Sequence, residues 1–160
     1  MDSKKKLMIL DGNSLIHRAF YALPILTTSK GTFTNAAYGF TNMLLKILRE
    51  QQPDYVVVAF DSGKTFRHER FAEYKGTRKA TPQELRPQFN LVHKILDALN
   101  ISTTQLEGYE ADDLIGTIAI KGEQEGLQSL IVTGDKDALQ LVSENTTTVI
   151  TRRGISQLET

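Results

Sequence analysis

Three carboxylates are crowded into the short stretch GYEADDLIG, at Glu110, Asp112 and Asp113. Like charges this close repel one another unless a positive group compensates for them. The N-terminus of a helix is one such group, because acids there accept free amide protons and complement the helix dipole. A divalent cation is another, since hard cations bind oxygen ligands. On this stretch alone, the helix N-terminus is the commoner explanation.

Further acids follow three short apolar runs. The run KLMILD ends at Asp11, YVVVAFD ends at Asp61, and SLIVTGDKD contains Asp135 and Asp137. Continuous Val, Ile and Leu residues without alternation are typical of strands in a parallel sheet that is covered on both faces. The carboxyl ends of parallel strands lie along one edge of the sheet, where ligands bind. We therefore expect these acids to converge there, and the helix that opens at Glu110 to start from the same edge.

A metal ion would compensate for so many converging acids. The candidate ligands are carboxylates from four parts of the chain: Asp11, Asp61, Glu110, Asp112, Asp113, Asp135 and Asp137. Mg²⁺ or Mn²⁺ suits them, because these ions prefer oxygen, and the chain has no cysteine to supply thiolates. Two such ions about 4 Å apart serve in-line displacement at phosphorus. Alternatively, Asp11 or Asp61 could cap a helix after its strand, and Asp137 could begin a short helix.

Helical patterns separate the apolar runs. In TNAAYGFTNMLLKILREQQ the apolar residues recur at helical spacing: Ala37, Phe40, Leu44, Ile47 and Leu48. A second helix is predicted to begin with Thr81 as N-cap and Pro82 at its first position. A third opens at Glu110 and ends at Gly126. Strands and helices in alternation predict an α/β fold with a mostly parallel sheet.

Residues 63–81 are polar, basic and aromatic, and they lack an apolar stripe. Cations and rings alternate in this segment, at Arg67, Arg70, Lys75, Arg78 and Lys79 and at Phe66, Phe71 and Tyr74. Cations bind phosphates and rings stack on unpaired bases, so the segment is a candidate clamp for single-stranded nucleic acid. The alternative is a solvated loop with two or three rings in the core. Arg18 and Lys46, on helices beside the acids, are further candidate phosphate ligands.

The charge distribution fits a polyanionic substrate held near a metal site. Residues 64–86 contain seven basic residues and three acids, whereas residues 107–137 contain eight acids and two lysines. The alternative is that both segments are merely solvated faces.

The composition is that of one globular domain, with 160 residues, 40% of them hydrophobic and 24% charged. No apolar run approaches the roughly 20 residues that are needed to span a bilayer. We therefore expect a cytoplasmic protein with no membrane partner, and we expect it to act as a monomer.

Five stretches resemble the 5′-nuclease (flap endonuclease-like) domain of bacterial DNA polymerase I: LDGNSLIHRAFYALP, TNAAYGF, VAFDSGKTFRHERFAEYKGTR, GYEADDLIGT and TGDKDALQLV. They occur in the order and spacing of that family over nearly the whole chain. The resemblance implies that residues 1–160 form a PIN-like α/β nuclease core. Helices would flank its central, mostly parallel sheet, and a flexible helical arch would cover about residues 63–86.

The resemblance also implies a divalent-metal-dependent 5′→3′ exonuclease and flap endonuclease, part of a DNA polymerase I acting in DNA replication and repair. DNA with 5′ flaps, nicks or ends would be its partner, together with RNA primer–DNA hybrids. The seven acids look like the metal site of the family, which uses Mg²⁺ or Mn²⁺, with two ions in the complete domain. Lys75 and Arg78 match arch residues that meet the scissile phosphate, and Arg67 matches a contact at the arch base. With Asp61 and Glu110, Lys75 and Arg78 are the candidate catalytic residues.

The family continues beyond this sequence with two further ligand aspartates and a helix–three-turn–helix module that grips duplex DNA, so we expect a fragment of a longer chain. Two other functions stay open. One is a fragment that binds branched DNA without turnover. The other is a phosphohydrolase of the haloacid dehalogenase type, which LMILDGN and TGDKD loosely resemble. That mechanism needs an acid two residues after its nucleophilic aspartate, where this chain has Asn13.

Overall fold

The computed structural model of the chain describes residues 5–62, 83–134, 146–152 and 157–159. Within them, one six-stranded sheet has the order β3-β2-β1-β4-β5-β6. Its strands are β1 (Lys6–Asp11), β2 (Tyr55–Ala59), β3 (Ser102–Thr104), β4 (Gln128–Thr133), β5 (Thr146–Arg152) and β6 (Gln157–Glu159). Neighbouring strands are parallel, except that β5 and β6 are antiparallel. The mostly parallel sheet predicted from the apolar runs is confirmed.

Helices cover both faces of the sheet. In the described residues they are α1 (Gly12–Ala22), α2 (Asn35–Gln51), α3 (Arg86–Ala98) and α4 (Ala111–Gln124). Side chains of α1, α2 and α3 pack with Met8 and Leu10 in one core, whereas α4 packs with Ile9 in a second core. Because successive strand residues point to opposite faces, β1 must be apolar at every one of these positions. None of the described helices is long and apolar enough to cross a membrane.

Strand β1 lies at the point where the strand order reverses. It pairs with β2 on one side, where Asp11 is opposite Ala59, and with β4 on the other, where Leu10 is opposite Val132. In open α/β sheets, ligands bind outside the carboxyl ends of the strands at such a switch point. Asp11, the last residue of β1, lies at this place.

The start of α3 differs from the sequence prediction. Residues 83–85 form a turn, and α3 begins at Arg86 rather than at Pro82 after a Thr81 cap. Thr81 and Pro82 themselves lie outside the described residues. The physical reason is Pro87, which lacks an N–H and would clash with the preceding turn in the interior of a helix begun at Pro82. In the first turn of α3, Pro87 has no such cost.

Two other helices agree with the prediction, whereas strand β3 was not foreseen. Helix α2 buries the predicted apolar face, and α4 is followed by Gly126 with a left-handed φ of 83°. Strand β3 has the polar sequence Ser-Thr-Thr and only three residues. Such a segment has no apolar run by which sequence reasoning could recognise it.

Gly12, the first residue of α1, lies against the ring of Phe60. A Cβ atom at Gly12 would be 2.6 Å from Cε1 of Phe60, which is closer than real Cβ contacts come. Glycine is therefore required here by the close approach of the helix to the ring. The contact holds the start of α1, and with it Asp11, beside the residue that precedes Asp61.

A buried polar network joins the three helices on one face. Gln88 of α3 is completely buried, and its Oε1 accepts hydrogen bonds from the N–H groups of Ala36 at 2.7 Å and Ala37 at 3.0 Å. Its Nε2 donates to Oδ1 of Asn35 at 2.9 Å, and Nδ2 of Asn35 donates to the carbonyl oxygen of Phe20 at 3.0 Å. The N-terminus of α2 is thus capped by a side chain from α3.

Candidate metal centre

Asp11 ends β1 and is also the N-cap of α1. Its Oδ1 accepts a hydrogen bond from the backbone N–H of Ser14 at 3.3 Å, and its Oδ2 accepts one from the hydroxyl of Thr133 at 3.1 Å. Only 4% of the residue is exposed. The capping role left open by the sequence is therefore real, and it orients the carboxylate at the switch point.

Ser14 connects the end of β1 with the end of β4. Its Oγ donates to the carbonyl oxygen of Asp11 at 3.3 Å and accepts from the N–H of Gly134 at 3.0 Å. It also lies 3.2 Å from Oγ1 of Thr133. Gly134 directly precedes Asp135 in the sequence, so this serine holds the start of the segment that carries two further candidate ligands.

Burial raises the pKa of Asp11 to about 6, from an ordinary value of 3.8. The negative charge of Asp61 contributes to this rise in the pKa, and the hydrogen bonds from Ser14 and Thr133 partly offset it. The buried carboxyl group therefore resists ionisation in the absence of a positive charge. A divalent cation beside Asp11 would favour the ionised form of this carboxyl group.

Asp61 follows β2 and is held at its main chain and at its side chain. Its N–H donates to Oδ1 of Asn13 at 2.8 Å, and its own Oδ1 accepts from the N–H of Ala111 at 2.6 Å. Ala111 is the first residue of α4, where a helix leaves its amides without intrahelical partners. Asp61 therefore caps α4 from a different element and ties the end of β2 to the start of that helix.

The N-terminus of α4 also carries its own acids. Glu110 is the N-cap and forms a capping box with Asp113, whose Oδ2 accepts from the N–H of Glu110 at 3.1 Å. Asp112 and Asp113 are exposed, whereas Glu110 is half-buried and its Oε1 atom is buried. The helix N-terminus thus explains part of this crowding of acids. A carboxylate has two oxygens, so capping does not exclude metal binding by the same side chain.

The charges of Asp11 and Asp61 interact at this edge of the sheet. Among the side chains that the structure describes, no group of three or more acids or histidines is close enough to hold a metal ion. Two carboxylates nevertheless suit Mg²⁺ or Mn²⁺, because such an ion keeps several waters and uses one or two carboxylates plus substrate phosphates. Asp135 and Asp137 lie outside the described residues. The full set of seven ligands therefore stays a prediction.

Two of the candidate phosphate ligands lie in the described part of the chain. Arg18 is on α1 and Lys46 is on α2; both are half-buried, and both interact with other groups of the protein. The candidates of the basic segment lie outside the described residues: Arg67, Arg70, Tyr74, Lys75, Arg78 and Lys79. A nucleic-acid interface at these side chains also stays a prediction.

Sequence reasoning missed three polar residues that orient the acids, because no metal-ligand pattern in the sequence marks them: Asn13, Ser14 and Thr133. Asn13 and Ser14 follow Asp11 directly in DGNS. Polar side chains immediately after a strand, at the edge where ligands bind, were the available signal. Thr133 gives a weaker one, because it closes the apolar run SLIVT.

Over residues 6–159 the sequence matches the family described as "5'-3' exonuclease, N-terminal resolvase-like domain". It is 54% identical over 157 residues to DNA polymerase I of Bacillus caldotenax, and 51% identical over 160 residues to DNA polymerase I of Bacillus subtilis (strain 168). The two alignments cover 98% and 99% of this chain but 18% of each relative. The chain thus spans less than a fifth of the length of these curated relatives.

Several solved structures have a similar fold. T5 5'-exonuclease with bound zinc ions has a TM-score of 0.66 at 25% identity, over 90% of this chain and 54% of that chain. The bacteriophage T5 flap endonuclease, solved as a pseudo-enzyme-product complex with DNA and metal ions, has a TM-score of 0.66 at 23% identity, with the same coverage. Human GEN1 with Holliday junction DNA has a TM-score of 0.58 at 14% identity, over 91% of this chain and 34% of that chain. These likenesses confirm the expected PIN-like fold.

Proposed function

Since this chain belongs to the family of 5'-3' exonuclease, N-terminal resolvase-like domains, we propose that it is a divalent-metal-dependent nuclease for the 5′ ends and flaps of DNA. Water would add to the phosphorus atom while the bond from phosphorus to the 3′ oxygen breaks, which leaves a 5′-phosphate and a 3′-hydroxyl. RNA primers paired with DNA are proposed as further substrates. The proposed setting is replication and repair, within a DNA polymerase I.

The observation that carries this proposal is the pair of Asp11 and Asp61 at the switch point of the sheet. The two carboxylates come from the ends of neighbouring strands, they repel each other, and one of them is buried with a raised pKa. Such a pair is costly unless a cation binds it. Related folds with metal ions and DNA in their structures support the assignment.

Mg²⁺ or Mn²⁺ is the proposed cofactor, with two ions in the complete site. A bound ion would supply charge for the phosphodiester and would lower the pKa of the attacking water. Asp11 and Asp61 would hold it through carboxylate oxygens that Ser14, Thr133 and the start of α4 already orient. The remaining proposed ligands are the acids of the other two segments: Glu110, Asp112, Asp113, Asp135 and Asp137.

Cationic side chains would bind the nucleic acid beside the metal. We assign contact with the scissile phosphate to Lys75 and Arg78, which would stabilise the charge that develops on its oxygens. The remaining proposed contacts with phosphates and bases come from the basic segment and from α1 and α2: Arg18, Lys46, Arg67, Arg70, Tyr74 and Lys79.

The test is cleavage of a 5′-flap oligonucleotide by the purified chain with Mg²⁺ or Mn²⁺, compared with its Asp61→Asn variant. Asparagine retains an Oδ1 that can accept from Ala111, so the start of α4 is kept while the charge is removed. We expect the rate to fall by at least about 100-fold. Asp54→Asn is the matched control, because Asp54 accepts from the N–H of Lys6 at the opposite end of β1.

Full activity of the Asp61→Asn variant would refute the proposed metal site. Tight binding of the flap without cleavage by the parent chain, in saturating Mn²⁺, would instead support the alternative that this chain binds branched DNA without turnover.

A further inference from the structure

We propose that Asn13 is a positioning residue that holds the metal ligand Asp61 in place, an inference that rests on the proposed function. Asn13 is the second residue of α1 and is half-buried. Its Oδ1 accepts the backbone N–H of Asp61 at 2.8 Å, although the two residues are 48 positions apart in the chain. The bond therefore joins the residue just after β2 to the helix that follows β1.

Asp61 needs this bond because the sheet no longer holds it. Strand β2 ends at Ala59, and the N–H of the next residue, Phe60, donates to the carbonyl oxygen of Thr104 on the β3 side at 2.9 Å. Successive N–H groups of an extended chain point to alternate sides. The N–H of Asp61 thus points toward β1, whose backbone has already turned into α1. The side chain of Asn13 supplies the acceptor that a continuing strand would have provided.

The bond also opposes an electrostatic force. Asp11 pairs with Ala59 in the sheet, so Asp61 lies two residues beyond the partner of Asp11 and the two negative charges interact. This repulsion favours a displacement of Asp61 away from Asp11. Anchoring the main chain of Asp61 to α1 resists the displacement, because α1 begins at the Asp11 cap itself.

A second contact fixes the carboxylate group. Oδ1 of Asp61 accepts from the N–H of Ala111 at 2.6 Å, so one oxygen is engaged with α4 and a second, Oδ2, remains on the same carboxylate for a cation. Without the Asn13 acceptor, this contact would still attach the side chain to α4. The distance between the carboxylates of Asp61 and Asp11 would no longer be fixed, however, and metal affinity depends on that distance.

The test is a double-mutant cycle in Mn²⁺ affinity, measured by titration calorimetry on the whole chain without DNA. The four proteins are the parent, Asn13→Ala, Asp61→Asn and the double variant. We expect Asn13→Ala to weaken Mn²⁺ binding by about tenfold in the parent, as is usual for residues that orient a metal ligand. In the Asp61→Asn background, where the charged ligand is gone, it should change the affinity by less than about twofold. An equal effect in both backgrounds, or no effect in either, overturns the inference.

A second readout covers the case in which Asn13→Ala folds poorly. Asn13→Asp retains an acceptor oxygen in the same place, so the Asp61 amide should exchange its hydrogen slowly in this variant and in the parent. Exchange should be faster in Asn13→Ala, and equal exchange rates in all three proteins would contradict the proposed bond. Val92→Ala, a cavity variant in the core of α3, controls for lost stability and should leave Mn²⁺ affinity unchanged.

Neither measurement requires catalysis. Failure of the parent chain to cleave flap DNA, with the coupling between Asn13 and Asp61 intact, would refute the nuclease proposal and retain the positioning role. Cleavage of flap DNA by the parent chain, without coupling between Asn13 and Asp61, would support the nuclease proposal and refute the positioning role of Asn13.

Discussion

The side chains of Gln88 and Asn35 are hydrogen-bonded to each other, with 2.9 Å between Nε2 and Oδ1, and both residues are completely buried. The amide oxygen of Gln88, Oε1, accepts hydrogen bonds from the N–H groups of Ala36 and Ala37 in the first turn of α2. Thr34, the residue at the N-cap position of α2, makes no side-chain capping bond. A glutamine from a distant part of the chain therefore does what a local cap usually does.

Replacement of Gln88 by leucine should destabilise the fold strongly. The change keeps most of the side-chain volume but leaves Oδ1 of Asn35 and two N–H groups of α2 buried without these partners. We expect the free energy of unfolding in urea to fall by about 3 kcal/mol. Asn90→Ala, at an exposed position of the same helix, should change it by less than about 0.5 kcal/mol. Similar values for the two variants would show that the network contributes little.

Asp11 should make the stability of the metal-free protein depend on pH. Its pKa is about 6 in the folded chain against 3.8 ordinarily, so the native state binds more protons than the unfolded state between these values. The free energy of unfolding should therefore fall as the pH rises from 3.8 to about 6, by about 3 kcal/mol in total. Urea titrations in a chelator, compared with Asp11→Asn, check this. In Asp11→Asn, this decrease of the free energy of unfolding with pH should be absent. If the free energy of unfolding depends on pH in the same way in both proteins, the raised pKa does not belong to Asp11.

Divalent cations should stabilise the parent chain more than they stabilise Asp11→Asn. Without metal and at neutral pH, the variant should be the more stable protein, because it has no buried charge to accommodate. At a free Mn²⁺ concentration 100 times the dissociation constant, the parent should gain about 2.7 kcal/mol. Thermal unfolding with and without Mn²⁺ measures the gain. Asp54→Asn should respond like the parent, and an equal gain in Asp11→Asn would place the ion elsewhere.

Gly12→Ala should be destabilising because of Phe60. The added methyl group would meet ring carbons at 2.6–2.9 Å, so the ring or the start of α1 must move. We expect a cost of about 1–3 kcal/mol. In a Phe60→Leu background the same change should cost clearly less, since the ring is gone. Equal costs in the two backgrounds would show that the effect comes from the backbone of α1 and not from this contact.

The convergence of Asp11 and Asp61 could be predicted from sequence because it depends on two strong regularities. Apolar runs identify buried parallel strands, and such strands end along the same edge. The prediction needed no knowledge of side-chain conformations. The helix at Glu110 was predictable from a different regularity, since its acids and its apolar face have helical spacing.

The supporting residues could not be predicted in the same way. Asn13 bonds to a residue 48 positions away, and Gln88 bonds to residues 51 and 52 positions away. No local pattern encodes such pairings, because they depend on how whole elements pack. The predicted start of α3 was wrong for a different reason. The prediction relied on Thr81 and Pro82 as a favourable helix start and did not consider Pro87, whose missing N–H determines where the helix begins.

The bonds of Asn13 and Gln88 have a joint consequence for protein engineering. Residues 61 and 84 stand on either side of the basic segment, and both are anchored: Asp61 through Asn13, and the carbonyl oxygen of Glu84 through Nε2 of Gln88 at 3.0 Å. Grafting a different sequence between these two fixed points, or lengthening it, should leave the acidic edge of the sheet undisturbed. Asp61 and Glu84 are thus fixed attachment points between which the basic segment can be replaced.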